Sequence, residues 1–583
     1  MSKRLELVWP DKDKVLLGLD ENGKPIWGTK ADLETRLLVQ LEAVGETSPD
    51  NLNDLYEQGD NLLIKGDNLL ALKALEQHFA GKIKCIYIDP PFNTGNAFEY
   101  YDDGLEHTIW LSMMKARLEI LRKLLKEDGV IFLHLNNIEV GYSRILLDEI
   151  FGRSNFISQI AWERSQRTLL GQGESPIIDT TEYILCYARK KLACQLNKLP
   201  KKYPVEDRTL KQYNKLFYPS AQKKLAEEFD DSYGNPVKIY KYDSCRIETI
   251  SWSDAENRYE ELLEVYVRNH EKVIRFSNQQ EESSFQQFLI SKMDGKSLYE
   301  VQYTPSRGKR KGKGISIFYY GRDVVLFLRD YTEKIGNTIY KQDDMNNFWT
   351  RQEIPMTGIA NEGGVEMRRG KKPEALIKRI LDTSTNNPND WVLDSFLGSG
   401  TTAAVAHKIG RKWVGIEFGD QAETHCLPRL KRVVSGEDQT GISKQVGWRG
   451  GGGFRYCVLG ESLFAKDKDT GLVMINPKYT NGPLVAAVCN LESFYLNNDS
   501  LFHGVQGNTY AHITEDKVTQ TYLDSLVEKL PEGKNLVVYC LKRAMGLEMP
   551  QEVKVKRIPK ELQIPRYLTS ASRGGGERAL LLI

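Results

Sequence analysis

Paired cysteines are missing from this chain. Its eight cysteines, at 85, 186, 194, 245, 426, 457, 489 and 540, stand singly with no C-x-x-C pair, so nothing suggests a zinc site and a reduced, cytoplasmic setting is expected. No stretch is long and apolar enough to cross a bilayer, and the opening MSKRLELVWPDKDK has no apolar core of the kind a signal peptide needs. Membrane functions are therefore set aside. Net charge is almost absent as well: 80 Lys and Arg against 79 Asp and Glu leave +1. Any affinity for nucleic acid must then come from local basic patches, because the average field cannot supply it. The glycine clusters at 450–453 and 574–576 lack the lysine followed by Ser or Thr that a phosphate loop requires, and are read as turns. At 583 residues the chain is too long for one core, and two to four domains are expected.

The most informative stretch is IYIDPPFNTG, residues 86–95. An apolar strand stops at Asp89-Pro90-Pro91-Phe92, where two prolines fix φ and remove two backbone donors. A carboxylate, an open carbonyl and an aromatic face are thus gathered at the C-terminal end of a strand, where open α/β sheets bind ligands. They suit an exocyclic amine on a flat heteroaromatic ring. Asp89 and the Pro90 carbonyl are candidate acceptors for its hydrogens, and Phe92 for stacking on a base extruded from a duplex. The plain alternative is an edge turn.

In chain order, residues 1–60 are mixed and polar, with ENGKPIWG read as a turn between short strands and Ala31–Val44 as a helix. NLLIKGDNLLALKAL then reads as a strand, a turn at Gly66-Asp67, and a helix with Leu69, Leu72 and Leu75 on one face. Asp67 is either the cap of that helix or a site residue. Trp110, Met114, Leu118, Leu121 and Leu125 recur at helical spacing before Gly129 opens the run VIFLHL, completing a strand-helix-strand unit of a parallel sheet. His134 within that run is read as a packed core histidine. A further strand spans Glu182–Tyr187.

From about Lys190 to Phe348 the composition shifts to Lys, Glu, Asp, Tyr and Ser. Within it Arg307, Lys309, Arg310, Lys311 and Lys313 form a cationic loop before the aromatic strand ISIFYY. That combination suits phosphate contact and base stacking, although a solvated surface loop fits it equally. A second fingerprint follows at WVLDSFLGSGTTAA, residues 391–404. A buried strand ends at Asp394, Gly398 and Gly400 allow a tight turn, and Thr401 starts a helix. About twenty residues on, KWVGIE ends in Glu417, placed to grip ribose hydroxyls. A helix near 517–530 followed by NLVVYC suggests a small C-terminal α/β module, with GERALLLI as a final docking strand.

Together DPPF at 89–92 and DSFLGSGTT at 394–402 resemble the catalytic D/N/S-P-P-Y/F and cofactor D-x-F-x-G-x-G-T motifs of DNA amino-methyltransferases. The order, catalytic motif first, is similar to the β class of that group. IYIDPPFNTG, WLSMMKARLEIL, DEIFGRSNF, KPEALIKRIL and VGWRGGGGFRY extend the resemblance, over residues 50–460, to modification (Mod) subunits of type III restriction-modification systems. The resemblance implies an α/β fold: a Rossmann-like, S-adenosylmethionine-dependent methyltransferase sheet in permuted order, an inserted target-recognition domain and a small C-terminal α/β module. It implies an N-terminal extension (1–60), a catalytic half (61–189), the recognition domain (190–355), a cofactor half (356–440) and the module (441–583). It also implies transfer of a methyl group from S-adenosylmethionine to N6 of adenine in double-stranded DNA, a restriction (Res) subunit as partner, and pairing of two modification subunits.

By position, Asp89, Pro90, Pro91 and Phe92 match the catalytic motif, while Asp67, Lys372, Pro373, Asp394, Phe396, Gly398, Gly400, Thr401 and Glu417 match cofactor positions. No metal is expected. The chain departs from the pattern in Phe92, where tyrosine is commoner, and in LHLNNIE at 133–139, where an acidic SIDDNE-like run is usual. Cytosine-N4 methylation, a non-catalytic DNA-specificity subunit and a nicotinamide oxidoreductase stay open as alternatives.

Overall fold

The computed structural model describes the chain apart from residues 1–5, 20–23, 49–58, 94–105, 166–177, 200, 232, 254, 256, 278–283, 307–311, 368–369, 468, 498–500 and 566–583. The chain divides into two units, one made of Met1–Asn197 with Asn346–Ile583 and the other of Lys198–Met345. Among the described residues no helix is long and apolar enough to cross a membrane.

The first unit is built on a ten-stranded sheet. In chain order its strands are β1 (Leu38–Gly45), β2 (Asn61–Lys65), β3 (Ile83–Ile88), β4 (Leu125–Leu135), β5 (Phe156–Glu163), β6 (Thr181–Ala188), β7 (Phe348–Trp349), β8 (Trp391–Asp394), β9 (Lys412–Glu417) and β10 (Gly453–Leu459). Their spatial order is β7-β5-β6-β4-β3-β8-β9-β2-β10-β1. From β4 to β10 all neighbours are parallel. Every residue of β3 is buried, as a central strand covered on both faces requires. The covering elements include α1 (Asn68–Phe79), which buries Leu69, Leu72 and Leu75, and α2 (His107–Leu124), which buries Trp110, Met114, Leu118 and Leu121. The apolar spacing read from the sequence is therefore the core-facing stripe of two helices, except that Leu125, read with the second, is already the first residue of β4.

The central register sets the site. Strand β8 lies between β3 and β9, with Leu393 opposite Ile86 and Asp394 opposite Gly415. Because these strands are parallel, Ile88, Asp394 and Glu417 all finish at the same edge of the sheet. Two segments far apart in the chain thus deliver their strand-ending acids side by side.

The segment Ala31–Val44 is not a helix. Lys30–Asp32 forms a single 3-10 turn, and Leu38–Gly45 is strand β1, antiparallel to β10. Helix-forming residues lose here to a period-two pattern: Leu38 is buried, Val39 and Leu41 are exposed, and the backbone groups are taken by β10. The outermost pair, β1 and β10, therefore comes from regions assigned in the sequence to the extension and to the C-terminal module, and both belong to the large sheet. The rest of the C-terminal region forms a five-stranded sheet. Strands Thr509–Val518, Asn535–Arg543 and Val553–Arg557 run parallel, and a helix at Gln520–Val527 joins the first two. GERALLLI and the glycines at 574–576 lie outside the described residues.

The second unit carries an eight-stranded antiparallel sheet running from Lys223–Asp230 at one edge to Cys245–Thr249 at the other. Its buried Glu300 accepts from Lys223, Tyr242, Gln302 and Ser316, at 2.7–2.8 Å. Phe276 stacks on Tyr320 with ring centroids 5.5 Å apart.

Candidate active site

The corner after β3 is held from the side. Trp110 Nε1 donates to the carbonyl of Pro91 at 2.9 Å, and Asn93 follows with φ 58°. The indole thus pins a segment whose prolines have already restricted it, and Asp89 is carried to the sheet edge on a stiff support.

The second fingerprint turns on its own acid. Asp394 accepts from the Phe396 amide at 2.9 Å and from the Thr402 hydroxyl at 2.6 Å, bridging the end of β8 to α4 (Thr401–Lys408). Gly398 (φ 58°) has open space where a Cβ would stand, whereas at Gly400 (φ 80°) a Cβ would lie 3.3 Å from the Cys426 backbone. One glycine leaves room on the cavity side, and the other permits close packing behind. Gly398 N–H donates to Glu417 at 2.6 Å, tying the turn to the end of β9. From below, Arg429 donates to the Thr401 hydroxyl at 2.8 Å and to the Ser399 carbonyl at 3.1 Å. Arg429 is itself held by Glu374 at 2.8 Å.

Both fingerprints line one cavity of about 300 Å³. Tyr87, Asp89 and Pro91 come from the first, residues 394–399 with Thr401 and Thr402 from the second, and Glu417 from β9, joined by Asn68, Arg117 and Lys372. A space of this size, largely apolar with a few convergent polar groups, is the usual form of a small-molecule site. Two buried acceptors or donors on its wall, Asp89 Oδ1 and Ser395 Oγ, have no hydrogen-bond partner among the described residues. Unpaired buried polar atoms are costly unless a ligand completes them.

The acids of this site are held in two different ways. Lys372 Nζ sits 2.9 Å from Asp89 Oδ2 and 3.5 Å from Glu182 Oε2, with its ammonium 4.6 Å from the Phe92 ring centre. Burial works to lower the Lys372 pKa, but Asp89 and Glu182 more than offset it, and the net direction is upward. Burial likewise acts to raise Glu182, yet Lys372, His134 and Arg164 pull it well below the usual carboxylate range. Asp394 and Glu417 have no such cation. Burial pushes each up to about 7, and the hydrogen bonds they accept counter it only in part.

Of the residues singled out in the sequence, Asp89, Pro91, Lys372, Asp394, Phe396, Gly398, Thr401 and Glu417 line the cavity. Pro90, Phe92, Pro373 and Gly400 do not. Phe92 packs on His134 at 6.0 Å between centroids, Pro373 caps α3 (Glu374–Ser384), and Gly400 caps α4. Asp67 is the N-cap of α1, accepting from Leu70 N–H at 2.9 Å. Its carboxylate lies 3.4 Å from Arg117, which lines the cavity. The cap read from the sequence is thus formed. Lys313 is exposed before the strand Ile315–Tyr320, while Arg307, Lys309, Arg310 and Lys311 lie outside the described residues.

His134 is fully buried, as expected of a core residue, but it is not inert. Its ring contacts the Tyr87 hydroxyl at 2.8 Å and Glu182 at 2.9 Å. Tyr87, Asn68, Arg117, Glu182 and Ser395 were not anticipated. Tyr87 had a local signal, since it stands two residues before Asp89 on the same side of β3. Glu182 had none, because its partners come from β4 and from the segment before α3.

A family model described as DNA methylase matches residues 83–425. The chain is 38% identical over 416 residues to the probable type III restriction-modification enzyme HindVI Mod subunit of Haemophilus influenzae, covering 69% of this chain and 54% of that protein. It is 29% identical over 431 residues to the EcoPI Mod subunit of Escherichia phage P1 (65% and 60%). To the StyLTI Mod subunit of Salmonella typhimurium it is 26% identical over 421 residues (67% and 54%). The chain thus spans between half and two thirds of the length of these relatives.

Proposed function

Given that the chain belongs to the DNA methylase family, we propose that it is a site-specific DNA methyltransferase. In this reading it carries a methyl group from S-adenosylmethionine to N6 of an adenine turned out of duplex DNA. The observation that carries this reading is the juxtaposition of the Asp89 corner and the glycine turn on adjacent parallel strands around one cavity.

The residues present fit the cofactor. Glu417 stands at the end of β9 to accept ribose hydroxyls, Gly398 leaves room for close approach, and Ser395 offers a hydroxyl with no partner among the described residues. When bound, S-adenosylmethionine supplies a methyl group activated by a sulfonium. The chain supplies the rest. Asp89 Oδ1 accepts a hydrogen of the base amine and draws its lone pair out of conjugation, the proton that the amine loses on methylation passes to Asp89 or to water, Phe92 offers an aromatic face, and Lys372 balances the Asp89 charge. No covalent enzyme intermediate is needed. Orientation and fixed electrostatics account for the rate.

The likeness to Mod subunits supports a finer reading: this chain is the modification and specificity subunit of a type III restriction-modification system. It would act on double-stranded DNA, pair with a second copy and serve a Res subunit, with the unit Lys198–Met345 as target-recognition domain. Mapping modified bases across the genome of cells expressing the chain tests all of this together. N6-methyladenine at one short motif is the expected outcome, N4-methylcytosine would transfer the reading to the sister chemistry, and an unmodified genome would falsify it. Loss of methylation in Asp89→Ala with S-adenosylmethionine still bound separates a catalyst from a specificity subunit without chemistry.

A further inference from the structure

Behind Asp89 lies a buried group of charges that the transfer chemistry does not by itself require. Glu182, 3% exposed, enters from β6. Its Oε1 accepts from Arg164 at 2.8 Å, and its Oε2 lies 2.9 Å from His134 Nε2 and 3.5 Å from Lys372 Nζ. His134 is in turn anchored by the Tyr87 hydroxyl at 2.8 Å and packed against Trp162 at 5.6 Å between ring centroids. The charged groups around Lys372 are therefore Asp89 from the corner, Glu182 from β6 and Arg164 just beyond β5. Two carboxylates thus face two cations, Lys372 and Arg164.

A lysine ammonium is a compact charge on a flexible stem, free to settle across both oxygens of a single carboxylate. Here it does not. Lys372 takes only Oδ2 of Asp89, and Oδ1 has no hydrogen-bond partner among the described residues. The second carboxylate supplies the reason, because an ammonium shared between two acids is drawn off the face of either one. We propose that Glu182 is the positioning residue of the acceptor: held at Oε1 by Arg164, with the His134 ring 2.9 Å from Oε2, it holds Lys372 on Oδ2 of Asp89 and leaves Oδ1, buried at the cavity wall, unpaired as the acceptor for the amine to be alkylated. The inference rests on the methyltransferase reading and deepens it, since it names what makes one oxygen of the catalytic acid available.

The consequence of neutralising Glu182 follows from the charge balance. In Glu182→Gln, Lys372 has one counter-charge in a buried place, so it is free to close over both oxygens of Asp89 and gives up its proton at lower pH. With DNA and S-adenosylmethionine both saturating, kcat is expected to fall roughly 100-fold, the scale of a misplaced reacting group. Dissociation constants for the cofactor and for DNA are expected to stay within about two-fold, because Glu182 is buried and does not line the cavity. The alkaline limb of kcat moves to lower pH. A readout independent of catalysis is the melting of the free chain from about pH 9 to 12, the range that spans the ordinary lysine value and the raised one. The raised Lys372 pKa contributes stability that is lost as pH rises through it, so the variant loses stability at lower pH than the wild type. Glu182→Asp, which keeps the charge, restores the pH behaviour and part of the rate.

An unchanged kcat and pH profile in Glu182→Gln overturns the inference, and so does a loss of kcat matched by equal losses in both affinities, which marks a merely structural role. Should that variant fail to fold, Arg164→Met at a position whose side chain is 53% exposed tests the same clamp. A fall of about three-fold in kcat, with affinities kept, supports it on the scale of a modest exposed ion pair, and an unaltered kcat overturns it. A wild-type chain that methylates no DNA defeats the function itself. An active wild type with an indifferent Glu182 defeats only this inference.

Discussion

Four buried or half-buried carboxylates gather around one sheet edge, and the molecule treats them as two pairs. Asp89 and Glu182 share Lys372, with Arg164 on the far side of Glu182, so their charges are balanced inside the protein. Asp394 and Glu417 meet only backbone N–H groups and one hydroxyl, and both sit near pKa 7. The first pair thus carries its counter-charge with it. The second pair meets no cation and only a few donors among the described residues. A site that must hold one geometry through a reaction gains from internal counter-charge, whereas a site that must release its ligand gains from incomplete satisfaction.

The sharpest way to break this contrast is to exchange the roles of one acid from each pair. Asp89→Ala is expected to lower single-turnover methyl transfer by three orders of magnitude or more, roughly the cost of a lost positioned group and its electrostatics. S-adenosylmethionine titration should stay near wild type, and an active variant removes Asp89 from the chemistry. Glu417→Gln should do the reverse. Hydrogen bonds to a charged acceptor contribute about 1.5–3 kcal/mol, so cofactor affinity measured by calorimetry should weaken about 10- to 100-fold, with kcat at saturation much less affected.

Proton titration offers a gentler version. Between pH 8 and pH 6 the ionised fraction of a carboxylate with pKa about 7 falls from most to little, and cofactor affinity should decline about ten-fold over that window. Glu417→Gln should flatten the profile. The sign of the stability effect is opposite: folded-state values raised above the unfolded ones contribute stability that is complete below the unfolded values and lost as pH rises through about 7. The free chain should therefore melt higher at pH 6 than at pH 8 from this pair. The smallest effect is expected outside both pairs. Asp67→Ala should cost about 1 kcal/mol of stability as a lost helix cap, with cofactor affinity changed by no more than about two-fold. A large loss of affinity with stability intact would return Asp67 to the site.

Several of these residues were visible before any coordinates. Asp89, Asp394 and Glu417 each end an apolar run ahead of a proline corner, a glycine turn or a loop, and such endings are written in adjacent residues. Lys372 was found only through resemblance, which placed it beside the cofactor. The geometry adds the Asp89 contact that defines its charge. Asp67 carried two readings because an N-cap and a ligand-facing acid occupy the same kind of strand-to-helix junction, and only the Leu70 and Arg117 distances separate them.

What the sequence by itself determined is local: where strands stop, which stripes of α1 and α2 are apolar, where positive φ demands glycine, and which acids stand at strand ends. Periodicity and turn chemistry act between near neighbours, so a linear reading reaches them. The tertiary structure alone decided that Leu38–Gly45 pairs as an edge strand in place of a helix, that β8 enters between β3 and β9, and that Glu182, His134 and Lys372 converge behind Asp89. Strand pairing and the neutralising of buried charge join segments from distant parts of the chain, and the energy that selects them exists only once the chain has folded.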